Sequence, residues 1–339
     1  MPRHVTLSDV ARQAGVSLMT VSRVVNNKEG VGQETRQQIQ EIIQQLGYRP
    51  SSIARSLATR RTGTLGLIVP DVSNPYFSDI THGVEQVALN EGYSVLLCDT
   101  DEDPHRELDA LQLLEEKRVD GVVLCCPRLN LPDIRTAIAH HPAAVLINRP
   151  LDNLQELTVR LGAVASDDEA GGELATQHLL SRGHKIVGFL AGPVSSSGGQ
   201  RRGQGYRKVL AAAGIAFNPA LAPHCSPTVE GGWEAARQLL QTHPEITALF
   251  CFNDLVAIGA LQACAELKRA VPEELAIVGY DDIPMASLVT PALTTCRVPR
   301  EDLGKLATRL LINRIQDCCD EECQDLVLKP ELVIRASAP

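Results

Sequence analysis

The chain has 339 residues, 44% hydrophobic and 22% charged, the proportions of a globular protein rather than a disordered or fibrous one. No apolar run approaches the ~20 residues of a membrane span, and the polar start Met1 to Asp9 lacks a signal-peptide core, so no membrane partner and a cytoplasmic location are expected. Charge is uneven: the first 61 residues hold nine basic against four acidic residues (+5), and with 32 against 41 in the whole chain the remainder is −14. That asymmetry is expected when one end alone meets phosphate.

The first organised stretch is VTLSDVARQAGVSLMTVSRVVN, residues 5–26. Thr6 and Asp9 are spaced as a capping box that starts a helix. Leu7, Val10 and Ala11 fall on one face of it. Ala14 is small enough for a close crossing, and Gly15 supplies the positive φ of a tight turn. Ser17 caps a second helix, whose Val21, Val24 and Val25 return an apolar stripe to the first. Its outward residues are Ser17, Leu18, Met19, Thr20, Ser22, Arg23 and Asn26. In a helix-turn-helix, the start of the second helix meets base edges in the major groove. An ordinary αα-hairpin would show the same pattern. The basic charge and a third amphipathic helix favour the DNA reader. That third helix runs from about Gln33 to Leu46, with Ile39, Ile42, Ile43 and Leu46 inward and Gly47 ending it.

Next comes YRPSSIARSLATRRTG. Pro50 can open a helix of about two turns, Ser51 to Ala58, too short to be stable alone in water. Arg55, Arg60 and Arg61 suit a phosphate backbone, and Leu57 suits a minor-groove wedge. A plain basic linker fits the composition equally well. The stretch 5–26 together with ETRQQIQEIIQQLGYRPSSIARSL resembles the DNA-binding head and hinge of the LacI/GalR family of bacterial repressors. The resemblance implies a hinge helix that folds on operator DNA, with Leu57 in the minor groove beside Ala54 and Arg55, and a homodimer on a near-palindromic site. It makes Thr20, Ser22 and Arg23 family-standard contacts, with Thr6, Ser17 and Asn26 beside them. Leu18 and Met19 stand where relatives vary; being apolar, they can read thymine methyls but cannot make bidentate hydrogen bonds.

From Gly63 the pattern becomes α/β. The apolar runs are 65–70, 94–99, 121–126, 143–148, 161–166, 186–192, 248–253 and 275–280, separated by helical stretches. Such runs imply parallel sheets covered on both faces. GLIVPDVSNPYF, EEKRVDGVVL, HLLSRGHKIVGFLAGP, ALFCFNDLVAIGALQA, AIVGYDDIP and PALTTCRVP resemble the same family's effector domain. The implied fold class is an all-α helix-turn-helix head plus an α/β, two-lobed, periplasmic-binding-protein-like effector domain with parallel sheets. The expected divisions are a head at 1–49, a hinge at 50–61 and an effector and dimerisation domain at 62–339. Lobe 1 would be about 62–162 and 292–322, and lobe 2 about 163–291 and 323–339. A ligand belongs in the crevice at the carboxyl ends of the strands.

Polar residues stand at those ends: Asp71, Asn74, Tyr76 and Phe77; Asn148 and Arg149; Asn253 and Asp254; Asp281 and Asp282. Arg201 and Arg202 sit in SSSGGQRRGQGY, read as a loop. Asn, Asp and Arg side chains can bond two sugar hydroxyls at once. Helix capping is the competing role for each, and the favoured one for Asp168 and Asp254. By the resemblance, Asn148, Arg202, Asn253 and Asp281 contact the effector, and Asn74, Tyr76, Phe77, Arg149 and Ser196 complete the site. Pro227 stands about where relatives often carry a stacking aromatic, and Trp233 aligns with a helix-packing residue. Ser196 stands where the purine repressor has a base-recognising arginine, which argues against a purine. A sugar or derivative is expected; a nucleoside or a sugar phosphate held at a helix N-terminus is the alternative.

Nothing points to an enzyme, cofactor or metal. There is no nucleophile elbow, dinucleotide fingerprint or nucleotide-triphosphate loop. Of ten cysteines, Cys98, Cys125, Cys126 and Cys251 lie in apolar strands, and Cys318, Cys319 and Cys323 lack a second pair or nearby His. His184 is placed to shape a turn. No leucine-heptad tail follows LVLKPELVIR, so a dimer rather than a tetramer is expected. The sequence thus reads as a ligand-controlled transcriptional repressor of a carbohydrate-utilisation operon. A solute-binding component of an importer, the rival, would carry a signal peptide and no DNA-reading head.

Overall fold

The computed structural model describes residues 5–26, 28–48, 61–149, 160–316 and 326–339. The chain divides into two compact units, Met1–Thr62 and Gly63–Pro339. The expected hinge helix, with Ala54, Arg55 and Leu57, and the cluster Cys318, Cys319 and Cys323 lie outside the described residues.

The first unit holds α1 (Leu7–Ala14), α2 (Leu18–Val25) and α3 (Gln33–Leu46). Val10, Val21 and Ile39 are fully buried at their meeting point, closed by Ala11, Ala14, Val24, Ile42 and Tyr48. Tyr48 is a core residue that the sequence pattern placed with the linker. Gly47, at φ 63°, turns the chain back, and the Tyr48 N–H then donates to the Ile43 carbonyl at 3.0 Å. No periodicity continues across a left-handed residue, so the ring's return to the core is invisible in the pattern.

The second unit contains two sheets. The first has the order β10–β5–β4–β3–β1–β2, with β1 (Thr64–Val69), β2 (Ser94–Asp99), β3 (Gly121–Cys125), β4 (Ala143–Ile147), β5 (Arg160–Ser166) and β10 (Leu326–Leu328), all pairs parallel. The second has the order β11–β9–β8–β7–β6, with β6 (Val187–Leu190), β7 (Ala248–Cys251), β8 (Ala276–Asp281), β9 (Thr294–Arg297) and β11 (Glu331–Val333). It is parallel except for the β9–β11 pair. The intervening helices are α4 (Pro75–Asn90), α5 (Pro104–Glu116), α6 (Leu131–Ile138), α7 (Asp168–Ser181), α8 (Ser197–Ala212), α9 (Val229–Thr242), α10 (Asp254–Glu266) and α11 (Arg300–Gln316). Strands β3 and β4 are buried along their whole length, as expected of strands covered on both faces. Strand β2 is an edge, with Leu96 and Leu97 exposed.

Both sheets repeat one plan. Strand β1 pairs with β2 on one side and β3 on the other. Strand β6 pairs with β7, and its other side meets the chain at the Ala191–His224 bridge. Each sheet therefore reverses its order beside its first strand, the switch point where a crevice opens at the carboxyl ends.

The expected lobe limits need correcting. All of β5 to Ser166 lies in the first sheet, so the first crossing follows residue 166 rather than 162. Strand β9 pairs with β8, so the return follows Arg297 rather than preceding residue 292. Strand β10 pairs with β5, so the last crossing lies after Leu328 rather than at 323. The strand β9 reads TTCR, without an apolar run. Its two threonines are nonetheless fully buried, because the Thr294 hydroxyl has the Arg335 and Ala338 carbonyls within reach of its one proton and accepts from the Arg335 N–H, and Thr295 Oγ1 donates to Asp254. Such strands are set by partners distant in sequence, which periodicity cannot show.

Candidate functional site

In the head, Thr6 and Asp9 form the expected box: Thr6 Oγ1 accepts from the Asp9 N–H at 3.4 Å, and the Asp9 carboxylate accepts from the Thr6 N–H at 3.0 Å. Ser17 Oγ accepts from the Thr20 N–H at 3.1 Å and meets the Thr20 hydroxyl at 2.8 Å. Asn26 Nδ2 donates to the Ser22 carbonyl at 2.8 Å, closing the helix. Leu18 and Met19 at the start of α2 are 52% and 67% exposed, apolar side chains offered to solvent. Arg23 is exposed, with its guanidinium lying against Gly30. Thr6, Ser17 and Asn26 are thus engaged as caps, while Leu18, Met19 and Arg23 present outward.

In the effector unit, Asn74, Tyr76, Phe77, Asn148, Ser196, Arg202, Asn253 and Asp281 all line one cleft between the two sheets. The first-lobe wall is held by hydrogen bonds among its own residues. Asn74 caps α4 by accepting from the Tyr76 N–H at 3.0 Å. Asn148 Nδ2 donates to the Tyr76 hydroxyl at 2.7 Å, and its Oδ1 accepts from the Ser166 N–H at 2.7 Å. Asn148 has φ 55°, a left-handed conformation that Asn tolerates better than most residues. Phe77 meets Tyr76 edge to face, with centroids 5.0 Å apart. Arg128 and Glu102, unforeseen from the sequence, complete this wall. The buried Arg128 guanidinium donates through Nε and Nη2 to the two Glu102 oxygens, and through Nη1 to the Cys126 carbonyl at 2.8 Å. Both residues follow the carboxyl ends of predicted strands, the one signal that would have found them.

The second-lobe wall centres on Arg202, only 5% exposed. Its Nε donates to Asp168 at 2.9 Å, its Nη1 to the Phe252 carbonyl at 2.6 Å, and its Nη2 lies 3.8 Å from Asp281 Oδ1. The guanidinium carbon sits 3.7 Å from the Tyr280 ring centroid. Burial alone would loosen its proton, but the carboxylates of Asp168 and Asp281 more than offset that, and its pKa is raised. Ser196 caps α8 by accepting from the Gly199 N–H at 3.2 Å. Asn253 caps α10 by accepting from the Val256 N–H at 2.8 Å, and its Nδ2 donates to the Pro227 carbonyl at 3.3 Å. Asp281 differs from all of these. It is buried, yet its Oδ1 has no hydrogen-bond partner. Burial pushes its carboxyl up to about 7 against the pull of Arg202 and Arg300.

Three expectations fail. Arg149 does not line the cleft; it is half-buried and feels the charge of Glu107. Arg201 and Arg202 lie within α8 rather than in a loop, because Ser196 caps the helix and the glycines form its first turn. The caps of α7 and α10 are Asp167 and Asn253, one residue earlier than expected. Asp168 is thereby free for Arg202, while Asp254 accepts from Thr295 Oγ1 at 2.6 Å and the Ile283 N–H at 2.8 Å. Two adjacent capping-type residues leave the choice to tertiary partners. Trp233 packs between helices as expected, its indole donating to Glu266 of α10 at 2.9 Å. His184 meets the Thr247 hydroxyl at 3.1 Å beside β6.

A helix-turn-helix unit followed by a two-lobed α/β unit with a polar cleft is the architecture of a ligand-responsive DNA-binding regulator. Residues 6–51 match the model for bacterial regulatory proteins of the lacI family, and residues 62–334 match that for periplasmic binding proteins and the sugar binding domain of the LacI family. The chain belongs to the LacI family. It is 37% identical to the ribose operon repressor of Halalkalibacterium halodurans, over 92% of this chain and 90% of that one. It is 35% identical to the transcriptional repressor PurR of Photobacterium profundum, over 98% of each. Among solved structures, the lac repressor dimer bound to operator and the anti-inducer ONPF superposes with a TM-score of 0.88 at 27% identity, covering 99% of each chain. Among the described residues, no helix is long and apolar enough to cross a membrane.

Proposed function

We propose that this protein is a cytoplasmic, non-enzymatic repressor of a sugar-utilisation operon, released from or held on its operator by a small neutral sugar of pentose size. The observation that carries the ligand class is the pairing of charge in the cleft. Arg202 already faces Asp168 and Asp281, and Arg128 is occupied by Glu102. A phosphate would have to break one of these pairs to find a cation, whereas a hydroxyl needs only an acceptor without a hydrogen-bond partner, and Asp281 Oδ1 is one. The similarity to a ribose operon repressor points the same way. A purine is disfavoured because Ser196 presents a short hydroxyl that already serves as a cap. The site comprises the eight lining residues above together with Arg128 and Glu102.

The DNA half of the reading places Leu18, Met19, Thr20, Ser22 and Arg23 against base edges and phosphates of a near-palindromic operator. A homodimer is part of it. Leu96 and Leu97 on the β2 edge and Leu89 at the end of α4 are exposed apolar side chains of the first lobe that a second copy would cover. Thermal shift with ribose, other pentoses, hexoses, nucleosides and sugar phosphates tests the ligand class, since a ligand of the folded state raises Tm. Ribose is expected to raise Tm and ribose 5-phosphate to leave it unmoved; the opposite result rejects the neutral-sugar reading. Fluorescence anisotropy on the protein's own upstream DNA, with and without ribose, tests control of the operator.

A further inference from the structure

Asp281 and Asp282 are consecutive non-glycine residues with positive φ, 103° and 54°. Backbone of this kind persists only where its surroundings over-determine it, and it clusters at ligand clamps and switches. Three arginines from later in the chain hold it. Arg297 Nε and Arg335 Nη2 donate to the two oxygens of Asp282 at 2.8 and 2.6 Å. Arg300 Nη1 donates to the carbonyl of Asp281 itself.

Arg297 and Arg335 belong to the second lobe, at the end of β9 and just past β11. Arg300 does not. It is the first residue of α11, which packs on β3, β4 and β5 of the first lobe. Its Nε and Nη2 hold the Asp79 carboxylate of α4 at 2.8 and 2.7 Å. Helices α4 and α11 form one block: a Cβ at Gly83 or at Gly304 would overlap the backbone of the other helix. The same α4 begins with Tyr76 and Phe77 on the first-lobe wall, just past its cap Asn74. One guanidinium thus connects the backbone of Asp281, in its left-handed conformation, to the wall of the first lobe.

We propose that Arg300 is the positioning residue of the cleft. It fixes where the Asp281 carboxylate stands and transmits ligand contact there to α4, so that the arrangement of the lobes follows occupancy. A ligand hydroxyl on Asp281 Oδ1 stabilises the arrangement in which the Asp281 carbonyl meets Arg300, the differential contact a switch requires. This rests on the sugar reading for its ligand and on the hydrogen bonds of Arg300 and Asp282 for the rest.

The test uses the full-length protein with ribose as the probe and the substitutions Arg300→Met, Arg300→Lys and Asp79→Asn. Ribose Kd is read by calorimetry, operator affinity with and without ribose by anisotropy, and hydrogen exchange of residues 279–284 without ligand. Arg300→Met is expected to weaken ribose by roughly tenfold or more and to speed exchange at 281–283 by a similar factor. Lysine can reach the Asp281 carbonyl but cannot span to Asp79 as well. Arg300→Lys should therefore keep ribose Kd within about threefold while cutting the ribose-induced change in operator affinity by roughly fivefold. Asp79→Asn, at a half-exposed position that does not endanger folding, should do the same. Arg300→Met with wild-type ribose affinity and exchange, or both milder variants with full ribose control of operator binding, overturns the proposal. If the unsubstituted protein does not bind ribose, the sugar reading fails separately and exchange alone decides: faster in Arg300→Met supports the positioning role, and unchanged overturns it.

Discussion

The two recognition surfaces are built in opposite ways. The reading helix α2 exposes apolar side chains, Leu18 and Met19, on a small three-helix core that does not need them. The cleft buries polar side chains, and nearly all of them are tied to one another: Asn148 to Tyr76 and Ser166, Arg202 to Asp168 and Phe252, Arg128 to Glu102. The difference teaches where specificity is separable from stability. A side chain outside the core can change its preference for a base at no cost to folding. A buried polar side chain serves both, because its loss strands a partner away from water. Within the cleft, Asp281 is the exception, a buried carboxylate whose Oδ1 has no hydrogen-bond partner.

Substitutions test that contrast. The largest effect is expected from Arg202→Met, which leaves Asp168 and Asp281 buried without their cation. It should lower stability by about 3–5 kcal/mol in chemical denaturation and abolish ligand binding. If stability is unchanged, the cleft is not the coupled network described. Asn148→Ala strands the Ser166 N–H and the Tyr76 hydroxyl and places alanine at positive φ; a loss of about 2–3 kcal/mol, read in the same way, is expected.

Asp281→Asn should act with the opposite sign. A carboxyl raised from the ordinary 3.8 to about 7 contributes stability that is present below 3.8 and is lost as pH rises through 7. An amide at this position escapes that loss. The variant should therefore be more stable than wild type at pH 8, by roughly 1–2 kcal/mol, with the gain fading as pH falls from about 7 towards about 4, while its ligand affinity falls. Equal pH profiles for the two proteins would remove Asp281 as the open acceptor. The smallest stability change belongs to Leu18→Ala and Met19→Ala, within about 0.5 kcal/mol of wild type. Each should nonetheless shift which operator is preferred in a binding-site selection. Uniform weakening on all sequences would show that these side chains do not read bases.

How much of this was legible in the sequence depends on the distance over which each feature is decided. The helix-turn-helix, its caps at Thr6 and Ser17 and its core stripe were readable, because capping and amphipathic spacing act within a few residues. So were eight strands and most of the cleft, since parallel sheets put their ligand groups just past apolar runs. Tertiary structure alone decided the rest. The short strands β9, β10 and β11 exist only by pairing with strands far away in the chain, and with them go the lobe limits. Tyr48 reaches the head's core only after a left-handed turn. Arg128 pairs with Glu102 across 26 residues, and Arg300 with Asp79 across 221. Sequence spacing carries no information about such pairs, because the backbone between them can close the loop in many ways and only the packed sheets choose one. Whether an aspartate caps a helix, binds an arginine or keeps an oxygen without a hydrogen-bond partner, as at Asp167, Asp168 and Asp281, is settled by which partners the fold brings within about 3 Å, the reach of a hydrogen bond.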